Sequence, residues 1–455
     1  MTTSAPSLLK ICGFHAHRFH VDLCYELDGV PFCTKVFYDT VDLEGITERF
    51  GEVFCRQLLG HMALFESVKF CAPFPRALDV TAISGDIFAA SIELFRTVYQ
   101  RACAQHRYEN QRPDYQGPDI VNREGSFAQP QAMALGKEAD GIVVGSGGGK
   151  DSLVTMKLLE EAGFSFAAYQ WARSEYGLFS EQHRLIDGLY QHVRPSAVHR
   201  LTVYDDFTDG VFMERYYPNV VPIFTLGTTE CIFHALPYAL HHGYRHFVVG
   251  NEKSAERGNL FWDAIGEEVN HQWVKSLEAE QLFTEFVQQT LLRDFSYFSL
   301  LKPVHDHRIF KKLSRYPQAL PDMHSCNVEK PWCKKCPKCA YVWLNYLVHF
   351  KSESVQNIFS DNLFDDPELL PYFRQMMGLD KHNAFECVGE IDEIRWALKR
   401  CHDMGFSGAA LDLFGSEILE NMDIRWDDLG AIYDRVDHEA HRIPPEIFTR
   451  VQPLY

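Results

Sequence analysis

The stretch that most constrains the fold is Gly141-Ile-Val-Val-Gly-Ser-Gly-Gly-Gly-Lys-Asp-Ser152. The apolar run Ile142 to Val144 predicts a buried parallel strand, and an amphipathic helix is expected from about Asp151 to Ala162. A glycine-rich turn joins the two. Such a unit makes an anion site, because glycines let backbone N–H groups approach phosphate oxygens and the helix dipole favours negative charge.

Two common phosphate loops do not fit this stretch. A Walker A motif needs Gly-x4-Gly-Lys-Ser/Thr, but its first position is Val144 and its last is Asp151. A dinucleotide Gly-x-Gly-x-x-Gly motif counted from Gly145 has lysine in place of its last glycine. The segment Ser146-Gly-Gly-Gly-Lys-Asp-Ser152 instead resembles the SGGxDS loop of the PP-loop (N-type) ATP pyrophosphatases. That resemblance implies ATP and Mg²⁺ as cofactors, with release of pyrophosphate and an adenylated substrate.

From Gly141 onward, apolar strand-like runs alternate with helical patterns. The pattern predicts an α/β fold with a doubly wound parallel sheet, and the resemblance implies a PP-loop, HUP-like version of it. By resemblance the end of the second strand, Tyr169 to Trp171, would contact adenine, although core packing explains these aromatic residues equally well. The implied nucleotide-binding residues are Gly145, Ser146, Gly147, Gly148, Gly149, Lys150, Asp151, Ser152 and Tyr169.

A second polar cluster, Gly250-Asn-Glu-Lys-Ser-Ala-Glu-Arg-Gly-Asn259, follows the predicted strand His246–Gly250. Ligands bind at the carboxyl ends of parallel strands, so this loop should lie on the same rim as the glycine loop. Glu252 is a candidate for holding Mg²⁺ or a substrate group, and Lys253 for pairing with a carboxylate. We take these two as the candidate catalytic residues; the alternative is a solvated loop.

Four cysteines form the second strong motif, with the spacing Cys326-x6-Cys333-x2-Cys336-x2-Cys339. Four thiolates around one Zn²⁺ make a closed, structural site, and the neighbouring lysines offset its charge. We therefore expect structural zinc. An iron–sulfur cluster is the alternative, because it also takes four cysteines, and His324 is a competing ligand.

The rest of the chain carries less chemistry. Residues 1–139 are predicted to form an N-terminal α+β domain and linker, residues 140–341 the ATP pyrophosphatase domain with the Cys cluster, and residues 342–455 a helical region. A hairpin is expected at Asp28-Gly29, between two strand-like runs. His15, His17 and His20 are spaced as in a strand, which makes a zinc site conceivable and ordinary strand histidines the simpler interpretation.

Composition narrows the classes of partner. The formal net charge is −18, which argues against a nucleic-acid substrate. No basic segment followed by an apolar core begins the sequence, and no run approaches the roughly 18 apolar residues of a membrane helix. We expect a cytoplasmic protein without a membrane partner, whose thirteen cysteines are thiols or metal ligands. The sequence does not predict an oligomeric state.

The glycine loop, the Gly-Asn-Glu-Lys-Ser-Ala segment, Asn270-His-Gln-Trp273 and the terminal Cys cluster together resemble the UDP-N-acetylmuramoyl-L-alanyl-L-glutamate epimerases. The resemblance implies a UDP-muramoyl-dipeptide substrate whose terminal L-Glu becomes D-Glu through an acyl-adenylate, in peptidoglycan precursor synthesis. The sequence does not identify the base; the candidates are Glu252, Lys253, Cys231, His271 and His305.

Three other functions stay open at this stage. A similar Cys cluster occurs in 7-cyano-7-deazaguanine synthase, which adenylates a carboxylate and adds ammonia. A tRNA-modifying PP-loop enzyme would need a basic face, which the net charge disfavours. A non-catalytic nucleotide sensor would keep ATP binding without pyrophosphate release.

Overall fold

The computed structural model describes residues 5–223 and 227–455; the first residues of the sequence and residues 224–226 lie outside that description. Its centre is a ten-stranded sheet with the strand order β12-β9-β6-β7-β8-β3-β2-β1-β4-β5, and β10 and β11 form a separate two-stranded sheet. The strands are β1 Leu8–Ala16, β2 His20–Leu27, β3 Val30–Tyr38, β4 Ala77–Asp79, β5 Asp119–Val121, β6 Gly141–Ser146, β7 Ala167–Arg173, β8 Val198–Asp205, β9 Tyr244–Val249, β10 Leu260–Trp262, β11 Glu267–Val269 and β12 Ser296–Ser299.

Helices lie between these strands from β3 onward and follow the last of them. They are α1 Leu43–Phe50, α2 Glu52–Glu66, α3 Ala89–Ala102, α4 Ala104–Glu109, α5 Lys150–Glu161, α6 Phe179–Leu189, α7 Phe212–Tyr216, α8 Gly227–His242, α9 Leu277–Thr290, α10 Asp306–Leu313, α11 Pro337–His349, α12 Ser352–Gln356, α13 Leu370–Met376, α14 Ile391–Asp403, α15 Ala409–Phe414, α16 Trp426–Tyr433 and α17 Pro445–Val451.

The five strands β12, β9, β6, β7 and β8 are parallel to one another. Alternate residues of β6 face two different cores. Val143 belongs to the core that contains α2, α8 and α9, whereas Ile142 and Val144 belong to the core that contains α5, α10 and α11. Helices therefore cover both faces of this part of the sheet, which confirms an α/β class with a largely parallel sheet.

The N-terminal strands continue this sheet. β3 pairs antiparallel with β8 from Thr34–Asp205 to Tyr38–Leu201, which joins the β1–β3 meander to the parallel strands. The sheet is therefore mixed, with antiparallel strands among the parallel ones. The division at residues 139 and 140 stays a prediction, and the strands on its two sides share one sheet.

Local turn chemistry explains the N-terminal hairpin. Asp28 and Gly29 both have positive φ, 46° and 86°, as in the mirror-image turns that match strand twist. The expected turn is thus confirmed. The linker predicted at the end of residues 1–139 contains the short strand β5, which the sequence analysis did not predict.

Residues 342–455, predicted to be helical, contain helices from the later part of α11 to α17 and no strand, whereas their boundary as a separate region stays a prediction. Leu344 of α11, Leu398 of α14 and Val451 of α17 share the core on the α5 face. Among residues 5–223 and 227–455, no helix combines the length and apolar content that crossing a bilayer requires.

Candidate functional site

The glycine loop lies between β6 and α5. The strand ends at Ser146, and the backbone N–H of Gly147 donates to the hydroxyl of Ser152 at 2.9 Å. Gly148 has φ of 84°, and a Cβ there would overlap the ring of His324. A Cβ at Gly149 would lie 2.7 Å from the Ser325 hydroxyl. Glycine is needed because the 324–325 segment lies directly on the loop.

His324 is held against this loop by its backbone. Its N–H donates to the carbonyl of Gly148 at 3.0 Å. Both ring nitrogens are buried and have no hydrogen-bond partner among the described residues. Burial lowers the pKa of His324 to about 4, so the ring is neutral near pH 7. Buried polar groups seldom lack partners, so this ring is a candidate contact for a ligand of the loop.

Lys150, the first residue of α5, is 1% exposed and lies between two carboxylates. Its Nζ is 2.6 Å from Asp151 Oδ1 and 2.5 Å from Asp306 Oδ1. The other oxygen of Asp306 accepts from the Tyr341 hydroxyl at 2.7 Å. Burial lowers the pKa of Lys150, but Asp151, Asp306 and Glu252 outweigh it and keep that pKa well above the ordinary value. The lysine is therefore fixed and charged.

Glu252 follows β9 and joins the same cluster. Its Oε1 lies 3.8 Å from Lys275 Nζ, whereas Oε2 is buried and accepts no hydrogen bond from the described residues. Burial raises the pKa of Glu252, but the ammonium groups of Lys275, Lys150 and Lys338 lower it to about 2. A charged carboxylate with one unused oxygen is a suitable ligand for Mg²⁺, which prefers oxygen donors.

Two predicted site residues lie elsewhere. Lys253 forms an ion pair with Asp437 of the C-terminal region, so its ammonium group is already paired. Tyr169 is buried against Tyr238 and Phe247. The predicted position of Tyr169 at the end of its strand is wrong, because β7 continues to Arg173. A contact with adenine stays a prediction for this residue.

The four cysteines Cys326, Cys333, Cys336 and Cys339 converge in space, with sulfur atoms within 4.8 Å of one another. The distance is 3.8 Å for both the 326–336 and the 333–339 pair. A tetrahedron with Zn–S bonds of about 2.3 Å has edges of about 3.8 Å, so the donor set fits zinc. Backbone N–H groups donate to three of the sulfurs at 3.4 Å, an arrangement suited to thiolates.

The histidines of the N-terminal strands form a smaller group. His17, His20 and Asp22 have potential ligand atoms within 4.8 Å of one another, and His15 is not among them. The His17 and His20 rings stack at 4.1 Å. The group is partly exposed, and its stacking and charge pairing agree with ordinary strand histidines.

Several polar groups of the cluster were missed in the sequence. Asp306 starts α10 directly after His305, and nothing in the sequence marks it as a partner of Lys150. Lys275 ends the polar segment after Asn270, which was the only signal for it. Cys387, whose thiol accepts from Lys275 Nζ at 3.2 Å, has no motif around it. All three become neighbours only through the fold.

Comparisons with known proteins agree along most of the chain. The MurL N-terminal domain matches residues 6–181 and 231–300, and the MurL C-terminal domain matches residues 322–410. A UDP-N-acetyl-alpha-D-muramoyl-L-alanyl-L-glutamate epimerase of Micromonospora sp. is 29% identical over 71% of this chain and 69% of its own length. One from Xanthomonas oryzae pv. oryzae is 27% identical over 97% of this chain and 95% of its own.

Proposed function

This chain belongs to the MurL family, whose N-terminal domain matches more than half of it, and we propose that it is an ATP-dependent epimerase. Its substrate is UDP-N-acetylmuramoyl-L-alanyl-L-glutamate, the dipeptide that the names of its relatives specify. In this proposal the terminal glutamate is activated as an acyl-adenylate and inverted at Cα, in peptidoglycan precursor synthesis.

The observation that carries the proposal is the contact between the glycine loop and the charged cluster. Lys150 is at once the first residue of the helix after the loop and the partner of Asp306, and its charge reaches Glu252. The glycine loop and buried acidic groups therefore lie together at the carboxyl edge of the parallel strands, which supports an anion site there. This is the edge at which open α/β sheets bind ligands.

The chain's own residues have separate parts in binding ATP. The N–H groups at the loop and the start of α5 donate to the phosphates, with the helix dipole favouring their charge. Lys150 adds a fixed positive charge, and the neutral His324 ring adds a nitrogen donor on the loop. Asp151 and Glu252 are the carboxylates that would hold Mg²⁺, which supplies charge neutralisation of the phosphates.

Activation solves a charge problem at Cα. A free carboxylate resists loss of its α-proton, because the product would carry two negative charges. An acyl-adenylate lacks that charge, so its Cα–H is far more acidic. The site must then exchange a proton over about 2.6–3.2 Å and stabilise the enolate oxygen that develops.

The cysteine cluster has a structural part in this proposal. We assign it Zn²⁺, with Cys326, Cys333, Cys336 and Cys339 as ligands, because the sulfur spacing fits a tetrahedron. The metal would fold the segment that begins at His324 and so hold His324 and Ser325 on the glycine loop. Metal and nucleotide sites would then be coupled through two residues.

The test measures pyrophosphate release from ATP and Mg²⁺ with and without the UDP-muramoyl-dipeptide, with the D-Ala-L-Glu analogue as a matched control. We expect release that depends on the L-Ala-L-Glu substrate. Release with other carboxylates only when ammonia is present would replace the epimerase by an amide- or nitrile-forming synthase. ATP binding without release in any mixture would replace it by a nucleotide sensor.

A further inference from the structure

We propose that Cys387 exchanges the Cα proton on one face of the activated glutamate, and that Lys275 is its positioning residue; this inference rests on the proposed function. Cys387 lies in the loop before α14, in sequence far from the glycine loop. No pattern in the sequence indicates such a role, and the structure supplies it by bringing the two regions together.

The thiol is fixed from three directions. Lys275 Nζ lies 3.2 Å from Cys387 Sγ and 3.1 Å from Gln272 Oε1, which orients the ammonium group. Lys338 Nζ donates to the backbone carbonyl of Cys387. The backbone N–H of Cys387 donates to Glu386 Oε2 at 2.8 Å. A thiol in a fixed position beside an ammonium group is the arrangement that stabilises a thiolate.

The surroundings do not resemble those of a packing cysteine. A free cysteine in a core behaves as a small apolar residue. Here the half-buried thiol lies within 4.8 Å of potential ligand atoms of His271 and Glu386. The ammonium groups of Lys275 and Lys338 argue against a cation at this group, because they already supply positive charge. Proton transfer therefore suits the cluster better than metal binding.

A second observation independently points to a ligand beside the thiol. Glu252 is 1% exposed, and its Oε2 accepts no hydrogen bond from any described residue. Lys275 lies between this carboxylate and Cys387. The thiol therefore lies beside the charged cluster that is proposed to bind the adenylate.

In the proton step, a base on the opposite face removes the α-proton. The Cα–H electron pair moves into an enolate, whose oxygen takes the negative charge. The Cys387 thiol then donates its proton: the S–H bond breaks, a Cα–H bond forms, and the thiolate remains paired with Lys275. The thiolate then regains a proton from water, and the protonated base on the opposite face loses its proton to water, so both groups return to their resting forms. In the reverse direction the same thiolate removes the proton.

Protonation in the resting state agrees with the donor part. Burial raises the pKa of Cys387, against the lowering effect of Lys275 and Lys338, so the thiol is the resting form near pH 7. A donor must hold its proton until the enolate forms. The two lysines reduce the cost of leaving a thiolate after transfer.

The test separates adenylation from inversion in the full-length chain. For Cys387→Ala, we expect formation of the D-Glu product to fall by about 100-fold or more, whereas substrate-dependent pyrophosphate release stays within about threefold of wild type. In D2O, the recovered L-Glu substrate should gain deuterium without inversion, because the opposite base still acts. Cys24→Ser, a half-buried thiol on β2, is the control and should match wild type.

Two further variants keep the inference falsifiable if the alanine variant folds poorly. Cys387→Ser keeps the size and should lose inversion in the same way. Lys275→Met should reduce kcat for inversion more than it reduces pyrophosphate release, and Lys275→Arg should restore part of the loss. Wild-type inversion in either Cys387 variant, or equal loss of both activities in folded protein, would overturn the inference. Absence of substrate-dependent release in wild type would instead reject the proposed function.

Discussion

Replacing Lys150 by methionine should leave a buried carboxylate without its charge partner. Lys150 and Asp306 are each 1% exposed, with Nζ and Oδ1 2.5 Å apart. Removing one partner of such a pair typically costs about 3–5 kcal/mol of unfolding free energy, since the remaining charge stays desolvated. Tyr341 keeps its hydrogen bond to Asp306, so we expect the lower half of that range.

The assay is urea unfolding at pH 7.5, with two matched comparisons. Lys157→Met, about two turns along the same helix, removes a partly exposed ion pair with Glu160, whose two side chains are 14% and 30% exposed, and should cost under about 1 kcal/mol. The double variant Lys150→Met/Asp306→Asn should recover part of the loss, because the unpaired charge of Asp306 is then removed, whereas Asp151 and Glu252 still lack the Lys150 charge. If Lys150→Met and Lys157→Met lost equally small amounts of unfolding free energy, the buried pair would not depend on both of its charges, and the prediction would be wrong.

Three other predictions test separate parts of the molecule. Gly148→Ala should raise the KM for ATP at least about tenfold, because strain at φ of 84° adds to overlap with His324. Its control is Gly125→Ala, at φ of 70° with open space around it, which should cost only about 1–2 kcal/mol of stability and leave the KM unchanged. Metal analysis should find one zinc per chain in wild type and less in Cys339→Ser, and a strong chelator should lower the thermal midpoint of wild type only; a full zinc content in the variant would contradict the ligand assignment. Burial raises the pKa of Glu280 to about 8, so its stabilising contribution is complete below about pH 4.5 and is lost as the pH rises to 8. Across that window Glu280→Gln should gain unfolding free energy relative to wild type, by up to about 1.4 kcal/mol per pH unit. Parallel pH profiles of the two proteins in urea unfolding would contradict this prediction.

Local signals explain what the sequence predicted well. The run Ile142 to Val144 and the glycines after it define β6 and the loop because chain geometry there depends on adjacent residues. The Asp28-Gly29 turn is similar. The spacing of the cysteines predicted that they converge. At these intervals four sulfur atoms can approach one another when the residues lie in a short loop and at the start of the helix after it.

Long-range contacts explain what it could not predict. Asp306 pairs with Lys150 across 156 positions of sequence, and Cys387 meets Lys275 across 112. Lys253 was as good a candidate site residue as Glu252 in the sequence, since the two are adjacent. In the structure their side chains have different partners, and Lys253 pairs with Asp437. Aromatic residues such as Tyr169 satisfy both a packing and a ligand pattern, and only the extent of β7 shows that this one lies inside the strand.

Deuterium incorporation at Cα of the substrate glutamate tests the proposed ATP-dependent epimerisation directly. Purified protein is incubated with ATP, Mg²⁺ and UDP-N-acetylmuramoyl-L-alanyl-L-glutamate in D2O, and the glutamate is then recovered and analysed for chirality and deuterium. We expect D-Glu that carries one deuterium at Cα and that forms only when ATP is present. D-Glu formed equally without ATP, or ATP consumed while the glutamate stays L and unlabelled, would contradict it.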